Sequence, residues 1–432
     1  MKLLSMLLCG VSMVAYAATG SVTFSKDVAP ILQKNCQGCH RPGEAAPMPL
    51  LTYQQARPWA KAMKQAVLTK KMPPWFADAQ YGHFRNDRSL AQKDIDTLVS
   101  WVDAGAPEGN AKDLPKPVQF VDGWNIGKPD MIYEMPQGFQ VPASGTIDYQ
   151  YVVLPYQFPE DRWIQMAEVR PGNRAVVHHV IAYIRDAKSK WMRDKKPGEI
   201  FVPEPNDKGE RPSLNGDLLS GFAPGLPPSI LEPGQGRLIK AGSDIVLQLH
   251  YTANGHAGED RTKVGVVFCK QPPAQRVMTL AASNNKFTIP PGDSNYQVDA
   301  EFELAHEAKL SALLPHMHLR GKDFEYRLIY PTGETQTILS VPHYDFGWQL
   351  WYEPVTDILL PKGSKIAVTA HYDNSPNNRN NPDPTKAVKW GDQSWEEMMI
   401  GFFDVTFPAD LDPKYLFPEK KKSPPATTGS AD

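Results

Sequence analysis

Beyond about Val118 the apolar positions come in short β-branched and aromatic runs broken by proline and glycine, a pattern that predicts many short strands and turns. The first set is Tyr149 to Leu154, Arg162 to Val169, Ala175 to Ile184, Ile245 to Tyr251 and Lys263 to Phe268. A second set follows: Tyr296 to Leu304, Ala308 to Leu314, Phe324 to Tyr330, Ile366 to Tyr372 and Met398 to Thr406. Before Val118 the period changes. Ser89 to Val102 carries Leu90, Ile95, Leu98, Val99 and Trp101 at helical spacing, Gln54 to Thr69 reads as another helix, and Phe24 to Val28 leads into a short one.

A chain of 432 residues is too long for one core and divides into about three domains at the usual size. The boundaries predicted are a helical domain over 18–112, a polar proline-bearing linker over 113–119, two β domains over 120–273 and 274–417, and a solvated tail over 418–432. Residues 1–17 read as a signal peptide: Lys2, an apolar run from Leu3 to Val14, then Ala15-Tyr16-Ala17 as a cleavage site. The expectation is a periplasmic or secreted protein with no stable membrane anchor. Its 46 basic and 48 acidic side chains nearly cancel, which leaves no electrostatic footprint for nucleic acid. Four cysteines are present; Cys9 leaves with the leader and Cys36 and Cys39 share one motif, so Cys269 has no partner for an intrachain disulfide.

Cys36-Gln37-Gly38-Cys39-His40 is the attachment pattern of c-type haem, with two thiols for thioethers and a histidine as proximal ligand. With its flanking helices, the region is similar to a small class I type cytochrome c. Such a domain adds a methionine as second axial ligand, and Met72, held extended before Pro73, is the first choice. Met48 and Met63 are rivals, Met63 reading as a mid-helix core residue, and His83 is a further candidate.

Three histidine features lie on the predicted strands. His316 and His318, in Leu313-Leu314-Pro315-His316-Met317-His318-Leu319, share one face and make a two-nitrogen half-site; core histidines satisfied by hydrogen bonds are the alternative. His178 and His179 are adjacent, so a regular strand would point them to opposite faces, and both reach one ion only if the strand twists, bulges or ends. His250 shares the more polar face of its strand with Gln248, opposite the leucines. The order His178-His179, Gln248-Leu249-His250-Tyr251, His316-Met317-His318-Leu319, Glu396-Glu397-Met398 resembles the copper type II ascorbate-dependent monooxygenases, the group of peptidylglycine α-hydroxylating monooxygenase and dopamine β-monooxygenase.

That resemblance covers about residues 120–410 and implies two antiparallel, jelly-roll-like β-sandwiches flanking a cleft, with one copper on each. The fold class expected is therefore multidomain: a small all-α cytochrome c domain followed by two antiparallel β-sandwich domains. Carried over by position, the electron-transfer copper takes His178, His179 and His250, and the dioxygen-binding copper takes His316, His318 and Met398 as the catalytic set. Met399 then belongs to the core. Two imidazoles and a thioether favour Cu(I), the state that binds dioxygen, whereas zinc would gain little from the thioether.

The function implied is a haem and copper monooxygenase that hydroxylates a C–H bond of a small organic substrate with dioxygen. Electrons come from an external donor, ascorbate or a redox protein, through the haem and the three-histidine copper. The competing readings are a copper and haem electron-transfer or copper-handling protein without turnover, and a zinc hydrolase on the same histidines. Leu314 and Phe402 stand where the peptide-amidating enzymes hold a substrate carboxylate with arginine and tyrosine, so an apolar or aromatic substrate is expected. The aromatic segment His343 to Tyr352 could line a cleft, although core packing is the expected role.

Overall fold

The computed structural model describes residues 22–44, 46–121, 123–204 and 216–419. The expected leader at 1–17 and most of the expected tail lie outside the described residues. No helix among the described residues is long and apolar enough to cross a membrane.

The expected fold class does not hold. The chain is mostly β-sheet, and among the described residues the four α-helices, Ala29–Asn35, Tyr53–Ala56, Ala60–Leu68 and Gln92–Asp103, have only 7, 4, 9 and 12 residues. The helix expected over Gln54 to Thr69 is broken into three pieces around Pro58, which can neither donate its backbone nitrogen nor let the preceding turn close. A self-contained all-α domain over 18–112 is not formed. The helical residues make a discontinuous unit of Ala46–Pro73, Leu90–Val118 and the described residues before Pro42, packed around Phe24, Leu32, Leu98 and Trp101. Pro74–Ser89 belongs instead to the β unit, where Phe84 packs edge-on and Trp75 tilted against Tyr352 and Asp78 N donates to Ser340 O.

Nor are there two separate antiparallel sandwiches. One nine-stranded sheet runs through both expected β regions. Its order is Met131–Glu134, Lys263–Phe268, Arg162–Arg170, Gln235–Ile239, Gln275–Ser283, Ile400–Pro408, Ala308–His316 and Ile358–Leu360, with Ser229–Ile230 on the side of Arg162–Arg170. The junction is parallel, Gln275 beside Gln235 and Arg276 beside Gly236. There the buried Arg237 guanidinium donates to Asp404 Oδ2 at 2.5 Å and to Thr279 Oγ1 at 3.1 Å.

Two further sheets cover the ends of this one in sandwich fashion. A five-stranded sheet, Ile200–Phe201, Gln150–Gln157, Asp244–Tyr251, Val177–Arg185 and Asp217–Phe222, buries Val180, Ala182, Leu247 and Leu249 against Ile164, Ala167, Val264 and Val266. A four-stranded sheet, Tyr296–Glu303, Lys365–Tyr372, Gly321–Ile329 and Thr335–Val341, buries Phe324, Tyr326, Val368 and Tyr372 against Leu280, Leu313, Phe403 and Val405. Asp244–Tyr251 is buried along its whole length. Its leucine face meets the sandwich core, while Val246 joins Tyr149, Tyr151 and Tyr183 in a second cluster on the other face. His250 lies on that second face by the two-residue period.

Candidate metal centres

His250 pairs with His179, and the next pair along is Tyr251 with Val177, so His178 is the extra residue of a β-bulge. This is the distortion that lets neighbouring side chains share one side of a strand. One nitrogen each from His178, His179 and His250 lie within 4.8 Å of one another, the only such His, Cys, Asp or Glu trio among the described residues. The Nδ1 atoms of His178 and His179 are 3.1 Å apart. His250 Nδ1 is buried without a hydrogen-bond partner. Burial holds all three imidazoles below their ordinary range, His250 at about 3, and the neighbouring rings lower His179 further. The cluster is therefore neutral and offers lone pairs. Tyr149 walls one side, its ring 4.5 Å from that of His250 and 5.3 Å from that of His179.

Ala308–His316 and Ile400–Pro408 pair antiparallel, Leu314 against Phe402 and His316 against Ile400. His318 lies two residues beyond His316 and Met398 two residues before Ile400, both outside the paired strands. His316 Nδ1 faces Gln349 Oε1 at 3.0 Å and His318 Nδ1 faces Glu396 O at 3.2 Å. Each acceptor fixes the proton on Nδ1 and leaves Nε2 as the free donor atom. His318 Nε2 is buried with no hydrogen-bond partner. Burial depresses both rings, His316 to about 4. Met398 is 2% exposed and its carbonyl accepts from Tyr372 Oη at 2.7 Å, whereas Met399 joins the apolar core.

The loop that carries His318 is held by a carboxylate. Glu397, fully buried, accepts from the backbone of His318 at 2.8 Å and of Arg320 at 2.7 Å, one bond per oxygen. Burial still pushes this carboxyl up to about 8, against the pull of those donors and of Arg320. The Arg320 guanidinium is itself spent on Asn374 Oδ1 and Trp395 O. Asn374 ties on to Pro290 O and Lys386 O through its amide.

The two histidine sets meet at Phe346, whose ring stacks on His178 at 5.3 Å and stands edge-on to His318 at 5.8 Å. Beside them lies a cavity with His179 and His316 both in its wall. The segment expected to be core packing thus divides its labour. Leu350 and Tyr352 enter the core, Gln349 and Trp351 line the cavity, and Phe346 sits between the imidazoles.

In the helical unit one turn of chain gathers Cys36, Cys39 and His40, with Cys39 N and His40 N both donating to Cys36 O. His40 Nδ1 faces Met48 O at 3.1 Å, which frees Nε2 for an axial bond. Burial and Cys39 push the Cys36 thiol up to about 12. Met63 is a core residue, Met48 packs against that core beside Cys36, and Met72 is half-buried. His83 is exposed and belongs to the β unit. Cys269 is a free, half-buried thiol.

Tyr149 and the anchoring role of Glu397 were not found from sequence, and Phe346 and Gln349 were named only as part of the segment His343 to Tyr352, with core packing as their expected role. The acidic pair before Met398 carried a signal as a marker of the methionine rather than as a loop anchor. No family model matches the chain, and no curated protein matches it. Solved structures align at low similarity. Infectious bursal disease virus Gx strain is 11% identical over 69% of this chain and 77% of that one, TM-score 0.19. PNGF-II in its C2 space group is 10% identical over 65% of each chain, TM-score 0.28.

Proposed function

We propose that the chain is an exported copper-dependent monooxygenase that also carries a covalent haem, and that it hydroxylates a C–H bond of a small organic substrate. The observation that supports this most is the pair of buried, neutral imidazole sets, each with an orphaned ring nitrogen, meeting at Phe346 beside an apolar cavity. His178, His179 and His250 would hold one copper, His316, His318 and Met398 the other, and Cys36, Cys39 and His40, with Met72, the haem. Their donor chemistry fits these groups, because neutral nitrogen with a soft thioether suits copper and no carboxylate joins the three-histidine trio. When bound, these groups supply single-electron transfer at the haem and the first copper and dioxygen activation at the second.

The chain's own residues do the positioning. Gln349 and the Glu396 carbonyl orient the two rings of the second set, Glu397 fixes the loop between them, and the Phe346 ring packs against both His178 and His318. An electron-transfer protein has no use for a cavity opening on His316. The deciding experiment supplies copper-loaded protein with ascorbate, candidate substrates and isotopically heavy dioxygen. Label in a hydroxylated product supports the oxygenase. Metal binding and haem redox cycling without substrate-dependent oxygen uptake would leave the electron-transfer reading.

A further inference from the structure

The cavity between the two histidine sets has a definite chemistry. His179, Ile181 and Tyr183 reach it from alternate positions of Val177–Arg185, and Leu314 and His316 from alternate positions of Ala308–His316, with Phe402 paired across from Leu314. Leu218, Leu226 and Trp351 add apolar surface, and no Asp, Glu, Lys or Arg lines it. Two wall residues nonetheless carry buried polar atoms with no hydrogen-bond partner, Gln349 Nε2 and Tyr183 Oη, in side chains 7% and 3% exposed. Gln349 Oε1 is occupied by His316, so its amide nitrogen is the end left over. A buried donor without an acceptor is costly, and a ligand that supplies one recovers that cost.

We infer that this cavity binds an uncharged, mainly apolar small molecule carrying one hydrogen-bond acceptor, which is met by the Gln349 amide and the Tyr183 hydroxyl. The inference rests on the oxygenase reading only for calling the molecule a substrate; the binding itself does not need turnover. In the metal-free protein a carboxylate or an ammonium group is excluded because no charged side chain in the wall would neutralise it out of water.

The test uses four probes of similar size, acetophenone, ethylbenzene, benzoate and benzylamine, on the full chain without added copper. Binding is read by ligand-observed NMR and by tryptophan fluorescence, since Trp351 lies in the wall. Acetophenone is expected to bind about three- to tenfold more tightly than ethylbenzene, one neutral hydrogen bond's worth. Benzoate and benzylamine should bind at least about a hundredfold more weakly than acetophenone. Leu218→Trp should fill the space and abolish binding while leaving copper at the three-histidine set. If that variant does not fold, Ala223→Leu serves in its place. Equal binding of benzoate, no binding by any probe, or unchanged binding in the filled variant overturns the inference. Acetophenone binding without oxygen uptake would sink the oxygenase reading and leave this one standing.

Discussion

Glu397→Gln tests whether the loop between the second pair of histidines is held by the buried carboxylate. Both oxygens accept a backbone N–H, from His318 at 2.8 Å and Arg320 at 2.7 Å. Glutamine is nearly isosteric but offers one acceptor, so one of those donors then faces an NH₂ group in a fully buried site. An orphaned buried donor costs about 1–3 kcal/mol. The Arg320 guanidinium, 4.0 Å away, keeps its hydrogen bonds to Asn374 and Trp395. The expected outcome in metal-free protein is a drop in urea stability of that order. Metal binding should change at one site only, because loss of an orienting partner typically weakens a site about 10–100-fold. A titration of Cu(I) against a chromophoric chelator resolves the two sites. Two equivalents bound with unchanged affinities, at an unchanged urea midpoint, would refute the anchoring role.

Other outcomes follow from the same coordinates. His250→Ala should reduce copper from two equivalents to one and leave the second set's affinity intact, as metal analysis after dialysis will show. Arg237→Met leaves Asp404 buried without its guanidinium at the parallel junction and should cost about 3–5 kcal/mol by chemical denaturation. Burial raises the Asp217 carboxyl above its ordinary range, outweighing Arg237 and Arg276, so the native state favours its neutral form. Stability therefore falls as pH rises from the unfolded pKa to the native one, and Asp217→Asn should stabilise at pH 7, with the gain shrinking below the native pKa and gone once the pH falls below the ordinary carboxyl range. Met72→Ala should lower the haem reduction potential in a redox titration, and Met48→Ala should not if Met72 is the axial ligand.

Much of the strand pattern was legible because it rests on a period of two. All ten runs picked out beyond Val118 lie in observed strands, with ends moved by a few residues. Some of the strands not found, such as Phe139–Val141, Gly258–Asp260 and Val388–Lys389, have three residues or fewer and give periodicity nothing to register, but Gln275–Ser283, Thr335–Val341 and Asp217–Phe222, of nine, seven and six residues, were also missed. The bulge at His178 was legible as a requirement, since adjacent side chains cannot otherwise share a face. What could not be read was closure. Gln235–Ile239 and Gln275–Ser283 pair in parallel with only two residue pairs in register, and such a join leaves no mark on either local pattern. Two sandwiches were expected where one sheet continues.

That continuity bears on how the two histidine sets keep their spacing. Separate sandwiches joined by a linker could open and close about it, as domains with polar interfaces ordinarily do. Here the backbone of the nine-stranded sheet passes from one region to the other, and Arg237 to Asp404 clamps the crossing with a buried ion pair. On the side of the histidines, Tyr149 N donates to Gln393 Oε1 at 3.2 Å, and Phe346 fills the remaining gap between His178 and His318. Opening the sets would break the first, strip Phe346 of both partners and expose the apolar cavity to water. A pair spaced in this way is set by packing rather than by a hinge, so replacing Phe346 with alanine should change the coupling between the two coppers' electron spins while leaving the ligands of each unchanged.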